Sequence, residues 1–193
     1  MRVFGIDPGS ERTGYGCVET DGRRHRLIVC GAISTSGPSL AARLATIHDR
    51  LSALIRESAP AVVAIENLFY ATNVRSALTL GHARGVAMLA AVEAGVELAE
   101  YTPTEIKRAV VGYGRAEKAQ VQRMIALLLG LAAPPQPHDA SDALAVALCH
   151  AHQMPGRAVA VRARAGAGPG PKSWRAYRPP QAGAAGRTGT RRP

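Results

Sequence analysis

The order of apolar segments along residues 1–152 constrains the fold of this chain more than any other feature. Three short strand-like segments, residues 2–7, 13–20 and 24–34, are separated by turns that contain glycine, a spacing that suits an antiparallel meander. Apolar residues then recur at helical spacing over residues 39–58. After Pro60, residues 61–66 (AVVAIE) form a short apolar run that predicts a buried strand.

The second half of this region predicts helices over residues 73–93, 103–111, 117–130 and 138–152, with a fifth strand at 96–101. Together these elements predict a mixed α/β fold in which helices flank a five-stranded mixed sheet. The helix at 73–93 is apolar on nearly every side and carries Gly81 and Gly85 on one face. Because one sheet cannot cover such a helix, another helix or a second subunit must do so, and we favour a homodimer.

The C-terminal segment has a different composition from the rest of the chain. Of the 24 Lys and Arg residues, nine follow residue 150, where no Asp or Glu occurs, which leaves 15 basic and 14 acidic residues in 1–150. We therefore divide the chain into a domain at 1–153 and a disordered basic tail, rich in Pro, Gly, Ala and Arg, at 154–193. The tail either attracts DNA phosphates or is a solvated extension without a role.

No apolar run reaches the roughly 18 residues that a membrane span requires. The N-terminus also lacks the basic start and apolar stretch of a signal peptide. We therefore expect a cytoplasmic protein.

Four carboxylates stand where predicted strands end or a predicted helix begins. Asp7 ends the first strand and Glu66 ends the buried run at 61–66, whereas Asp139 and Asp142 lie three residues apart at the start of the last helix. Each has an ordinary alternative role: Asp7 in a turn, Glu66 in a salt bridge, and the last two in favourable contact with the helix dipole.

Taken together, the four carboxylates indicate a metal site. Neighbouring strand ends would place Asp7 beside Glu66, and the first turn of the last helix can lie next to both. Clustered carboxylates repel one another unless cations intervene. An all-oxygen ligand set suits Mg²⁺ or Mn²⁺, and two such ions can act on one phosphodiester.

Several residues are candidates for contact with nucleic acid. Phe69 lies in the loop after Glu66 and could stack between bases. His138 adjoins the acids, and we consider it an auxiliary residue or simply the start of a helix. The basic candidates, which could equally form a solvated face, are Arg75, His82, Arg84, Lys107, Arg108, Arg115, Lys118 and Arg123.

These residues lie in five segments that resemble, in order and spacing, the RuvC-type crossover junction endodeoxyribonucleases, the bacterial Holliday junction resolvases. The segments are GIDPGSERTGYG (5–16), IENLFYATN (65–73), SALTLGHARGVAMLAA (76–91), VVGYGRAEKAQVQRM (110–124) and HDASDALAVALCH (138–150). The resemblance spans residues 1–152. Two features depart from the family pattern: Ser141 stands where alanine is usual, and the basic tail has no counterpart.

The resemblance implies a ribonuclease-H-like fold and a homodimer that resolves four-way junctions in DNA recombination and repair. It implies paired, symmetric, Mg²⁺-dependent nicks that leave 5′-phosphate and 3′-hydroxyl ends, and a preference for a short thymine-containing sequence. It assigns the metal site to Asp7, Glu66, Asp139 and Asp142, places Lys107 and Lys118 near the cleavage point, and gives Phe69 a base-stacking role. It also implies a partnership with the RuvA–RuvB branch-migration complex.

Two other hypotheses remain at this stage. GIDPGSERTG could form the phosphate-binding hairpin of an ATP-dependent kinase or ATPase, although 193 residues leave little room for the second lobe of such an enzyme. Alternatively, the chain could bind junctions without cutting them, with the acids serving only to cap helices.

Overall fold

The computed structural model describes residues 1–67 and 73–153. Phe69 and the tail at 154–193 lie outside the described residues, so their predicted roles and the predicted division of the chain stay predictions. No helix among the described residues is long and apolar enough to cross a membrane.

Five strands and five helices form the described part of the chain, close to the predicted bounds. The strands are β1 (Arg2–Asp7), β2 (Arg12–Thr20), β3 (His25–Ser34), β4 (Val62–Glu66) and β5 (Glu97–Tyr101). The helices are α1 (Leu40–Ser58), α2 (Val74–Glu93), α3 (Pro103–Val111), α4 (Lys118–Leu128) and α5 (His138–Gln153). The predicted five-stranded mixed sheet is confirmed, with the strand order β3-β2-β1-β4-β5.

The sheet combines an antiparallel half with a parallel half. Strands β1, β2 and β3 form the predicted antiparallel meander, whereas β4 runs parallel to both β1 and β5. The last registered pair between β1 and β4 is Ile6 with Ile65. Asp7 and Glu66 are therefore the next residues on neighbouring parallel strands, and both emerge at the same edge of the sheet.

Alternation along the strands separates two apolar layers, because successive side chains of a strand point to opposite faces. One layer lies against α5 and includes Val3, Val18, Ala64, Leu144 and Leu148. The other lies against α1 and α2 and includes Phe4, Ile6, Leu51, Ile65 and Ala87. Asp7 follows the alternation of Val3, and Glu66 follows that of Ala64, so both carboxylates project to the α5 side.

Glycines on β1 and β2 allow α5 to lie directly on the sheet. A methyl group at Gly5 would overlap the carbonyl oxygen of Ala143, one at Gly14 would overlap that of Asp139, and one at Gly16 would meet the Leu144 side chain. No larger residue fits at Gly5 or Gly14 while α5 keeps its place. The glycines thus set how close the first turn of α5, with its two acids, comes to the end of β1.

Candidate metal centre and nucleic-acid interface

The four predicted carboxylates meet at one edge of the sheet. Asp7 and Glu66 are half-buried at the ends of β1 and β4, and Asp139 and Asp142 are half-buried in the first turns of α5. The negative charges of Glu66, Asp142 and Asp139 all act on Asp7. Separate strands and a helix therefore deliver the predicted acids to one place.

Burial makes Asp7 and Glu66 resist ionisation. Burial, followed by the charges of Glu66 and Asp142, raises the pKa of Asp7 to about 8. Burial also raises the pKa of Glu66, although a hydrogen bond with Asp7 opposes the rise. A buried carboxyl among other carboxylates ionises readily only when a cation balances the charge.

Basic side chains supply part of that balance. Lys118 Nζ lies 2.6 Å from Asp142 Oδ2, and Arg12 Nε lies 3.6 Å from Asp139 Oδ2. Lys118 and Lys107 both act electrostatically on Glu66. The hydrogen bond with Asp142 raises the pKa of Lys118, so this lysine keeps its positive charge beside the acids.

The donor set suits a hard divalent cation, since it consists of carboxylate oxygens without sulfur. Within residues 1–67 and 73–153, no three His, Cys, Asp or Glu side chains form a ready-made metal-binding cluster. Two of the four acids point instead to Lys118 and Arg12. The side chains of Asp139 and Asp142 must turn away from these partly exposed cations before the four acids can bind one metal centre.

An open cleft of about 270 Å³ adjoins the carboxylates. Glu66 and Asp142 form its acidic side, Lys107 and Lys118 form its basic side, and apolar residues of α3, α4 and α5 form its floor. The cleft therefore offers both cations and metal-binding oxygens, which is the combination that a phosphodiester requires.

The other predicted contacts lie in different surroundings. Arg75, Arg108 and Arg115 are exposed, and no hydrogen bond or ion pair in the described ranges joins their side chains to the carboxylates. His138 is exposed at the start of α5, where its Nδ1 atom lies 2.9 Å from Gln122 Nε2. Among the predicted basic contacts, Lys107 and Lys118 line the cleft beside Glu66 and Asp142.

Sequence reasoning missed Arg12, gave Arg84 a different candidate role and left Ser141 unexplained. Arg12 starts β2, and the pairing of Asp7 with Gly14 places the turn end of the β1–β2 hairpin beside the acids. Arg84, taken as a possible phosphate contact, forms an ion pair with Glu100 instead. The departure at Ser141 has a structural reason, because its buried hydroxyl donates to the carbonyl of Pro135 at 2.8 Å.

Comparisons with known proteins bear on this site. The family model described as "Crossover junction endodeoxyribonuclease RuvC" matches residues 3–150. The chain belongs to the RuvC family. It is 56% identical to the RuvC protein of Koribacter versatilis over 154 residues, which cover 79% of this chain and 93% of the relative. It is 58% identical to that of Syntrophotalea carbinolica over 153 residues, which cover 79% and 94%.

Solved structures agree with the family assignment. The chain superposes on Thermus thermophilus RuvC with a TM-score of 0.75 and 36% identity, over 80% of this chain and 96% of that one. For T. thermophilus RuvC in complex with Holliday junction substrate, the TM-score is 0.74 and the identity 34%, over the same shares of the chains. The ribonuclease-H-like fold is thereby confirmed, and the family is one of phosphodiester-cleaving enzymes rather than kinases or non-catalytic binders.

Proposed function

We propose that this chain resolves four-way DNA junctions by metal-dependent hydrolysis, cutting two strands symmetrically in recombination and repair. The convergence of Asp7, Glu66 and the first turns of α5, in a member of the RuvC family, carries the proposal. The resemblance adds that the cuts leave 5′-phosphate and 3′-hydroxyl ends. A solved relative is described in complex with Holliday junction substrate, which supports the same substrate here.

In this proposal, Asp7, Glu66, Asp139 and Asp142 hold Mg²⁺, or Mn²⁺ in its place. Two bound ions would supply an activated water and would stabilise the leaving oxygen. The raised pKa of Asp7 supports such a site. A bound metal cation would take the place of the proton and would lower the pKa of this carboxyl. Asp139 and Asp142 stay anchored through the close seating of α5 on Gly5 and Gly14.

Lys107 and Lys118 would position the phosphate to be cut. Both line the cleft beside Glu66, and Lys118 remains a cation there because of Asp142. A permanently charged lysine serves as a phosphate ligand and not as a general base. Phe69 is proposed as the base-stacking residue, and Arg75, Arg108 and Arg115 as contacts to more distant phosphates.

We further propose that two copies of the chain act together, as two symmetric cuts require two sites. Helix α2 supports this proposal, since α1 covers only its alanine-rich side, including Ala83 and Ala87. Its other side forms a continuous exposed stripe with open space around both glycines. The stripe consists of Val74, Leu78, Gly81, Gly85, Leu89 and Val92.

Cooperation with the RuvA–RuvB complex in the bacterial cytoplasm is proposed from the resemblance alone.

Cleavage of a labelled four-way junction and of a linear duplex of the same sequence, with and without Mg²⁺, tests the proposal. We expect paired nicks only in the junction and only with metal. Asp7→Asn should abolish cleavage and retain binding of the junction, whereas Glu57→Gln, on the exposed side of α1, should cleave normally. Equal cutting of both substrates would contradict junction specificity, and wild-type cleavage by Asp7→Asn would contradict the site.

A further inference from the structure

The charge of Arg84 is directed into the protein, against the ends of two strands. Its side chain is only 18% exposed, although it lies on a surface helix. The guanidinium forms an ion pair with Glu100 of β5, and its Nε atom donates to the main-chain carbonyl of Glu66 at 3.4 Å. One side chain of α2 thus bridges the ends of two strands.

We propose that Arg84 is a positioning residue, which fixes the main chain of Glu66 and so the direction of its carboxylate. This inference rests on the proposed function, because it assigns Glu66 to the reacting site. Arg84 itself touches neither carboxylate oxygen of Glu66 in this arrangement.

Glu66 needs such a support because sheet pairing ends at this residue. On the β1 side, the last registered pair is Ile6 with Ile65, so Glu66 and its neighbour Asp7 lie one residue beyond it. On the β5 side, Glu66 pairs with Tyr101, and the amide of Asn67 donates to the Tyr101 carbonyl at 2.7 Å. Strand β4 ends at Glu66. The Arg84 contact therefore acts at the last residue that the sheet holds.

A planar guanidinium, which has several donors in fixed directions, suits this positioning role better than the single amine of a lysine. Arg84 uses Nε for the Glu66 carbonyl and a terminal nitrogen for Glu100, so the two contacts fix its plane. Glu100 balances its charge, which leaves Arg84 poorly suited to attract a phosphate. Arg84 also adjoins Gly85 of the exposed α2 stripe, so the surface proposed for the second copy and the Glu66 strand end share one helix.

Two variants test the inference. Arg84→Lys keeps the positive charge but removes the planar guanidinium, and Glu100→Gln keeps the shape of the Glu100 side chain but removes the ion pair. We expect kcat to fall by about tenfold in each, as for supports of metal ligands in general, with KM for the junction unchanged. Hydrogen exchange at the Asn67 amide in the metal-free protein should be faster. Glu19→Gln is the matched control, since it removes the charge of an acid paired with Arg26 at the other edge of the sheet.

Wild-type kcat and wild-type exchange in both variants would overturn the inference. A raised KM with unchanged kcat would also overturn it, because it would make Arg84 a DNA contact. If Arg84→Lys fails to fold, Glu100→Gln and the exchange measurement decide. If the unaltered protein does not cut junctions at all, the proposed function fails, whereas exchange at Asn67 still tests the contact separately.

Discussion

Asp7 and Glu66 share a hydrogen bond between the ends of two neighbouring parallel strands. The bond raises the pKa of Asp7 and lowers that of Glu66, so the two carboxyls share one proton. Burial contributes most to the pKa of about 8 at Asp7. Without a metal ion, the pair therefore holds a proton at neutral pH that an isolated aspartate would have released.

This proton makes the stability of the metal-free protein depend on pH. The pKa of Asp7 is about 8 in the folded chain and 3.8 ordinarily, so the folded chain binds the extra proton. The stability that this proton contributes is present below pH 3.8 and is lost as the pH rises to about 8. In Asp7→Asn, which cannot ionise, we expect this loss to be absent.

Thermal unfolding in EDTA across this pH range measures the difference. Asp7→Asn should unfold at a higher temperature than the unaltered protein at pH 8, by about 2 to 4 °C for each kcal/mol gained. Glu57→Gln, an exposed acid of α1, should follow the unaltered protein throughout. Parallel curves of unfolding temperature against pH for Asp7→Asn and the unaltered protein would show that folding does not raise the pKa of Asp7.

Gly14→Ala tests whether the close seating of α5 controls the site. The added methyl group would overlap the carbonyl oxygen of Asp139, so the start of α5 must move away from β2. Misplacement by about 1 Å can reduce turnover by about a hundredfold, and overpacking of this kind costs about 1–3 kcal/mol. We expect a large loss of kcat with a folded chain.

The rate of junction cleavage and the unfolding temperature of Gly14→Ala are measured together. Gly37→Ala is the control, because its methyl group would meet only neighbouring atoms at 3.1 Å or more, before α1. An unchanged rate in Gly14→Ala would mean that α5 adjusts without displacing Asp139.

The sequence predicted the elements and the acids well because both depend on local patterns. Apolar periodicity determines β1, β4 and α5, and Asp7 and Glu66 are conspicuous as acids that end apolar strands. Such local patterns do not determine which residues lie next to each other across the sheet. Arg12 reaches Asp139 only through the β1–β2 register, and Arg84 meets Glu66 only because α2 crosses the strand end. From the sequence alone, Arg84 therefore cannot be distinguished from a phosphate contact.

Leu78→Glu tests the proposed dimer. Leu78 is 61% exposed in the N-terminal half of the α2 stripe, and a buried unpaired charge at an apolar interface is strongly unfavourable. We expect Leu78→Glu to sediment as a monomer and to lose paired cutting. Leu127→Glu is the matched control, since Leu127 is 74% exposed on α4. Equal dissociation of both variants, or of neither, would exclude α2 as the interface.

Replacing the nine basic residues of 154–193 with glutamine tests whether the tail binds DNA. Residues 1–150 are nearly neutral, with 15 basic and 14 acidic residues, so a tail that touches phosphates would supply much of the salt-dependent affinity. Each neutralised phosphate contributes about 0.7 to 0.9 to the slope of log affinity against log salt concentration. We expect a shallower slope for both junction and duplex, with the metal-dependent cleavage rate at saturating DNA unchanged. An unaltered slope would mean that the tail is a solvated extension, and that Lys107, Lys118 and their neighbours account for the attraction.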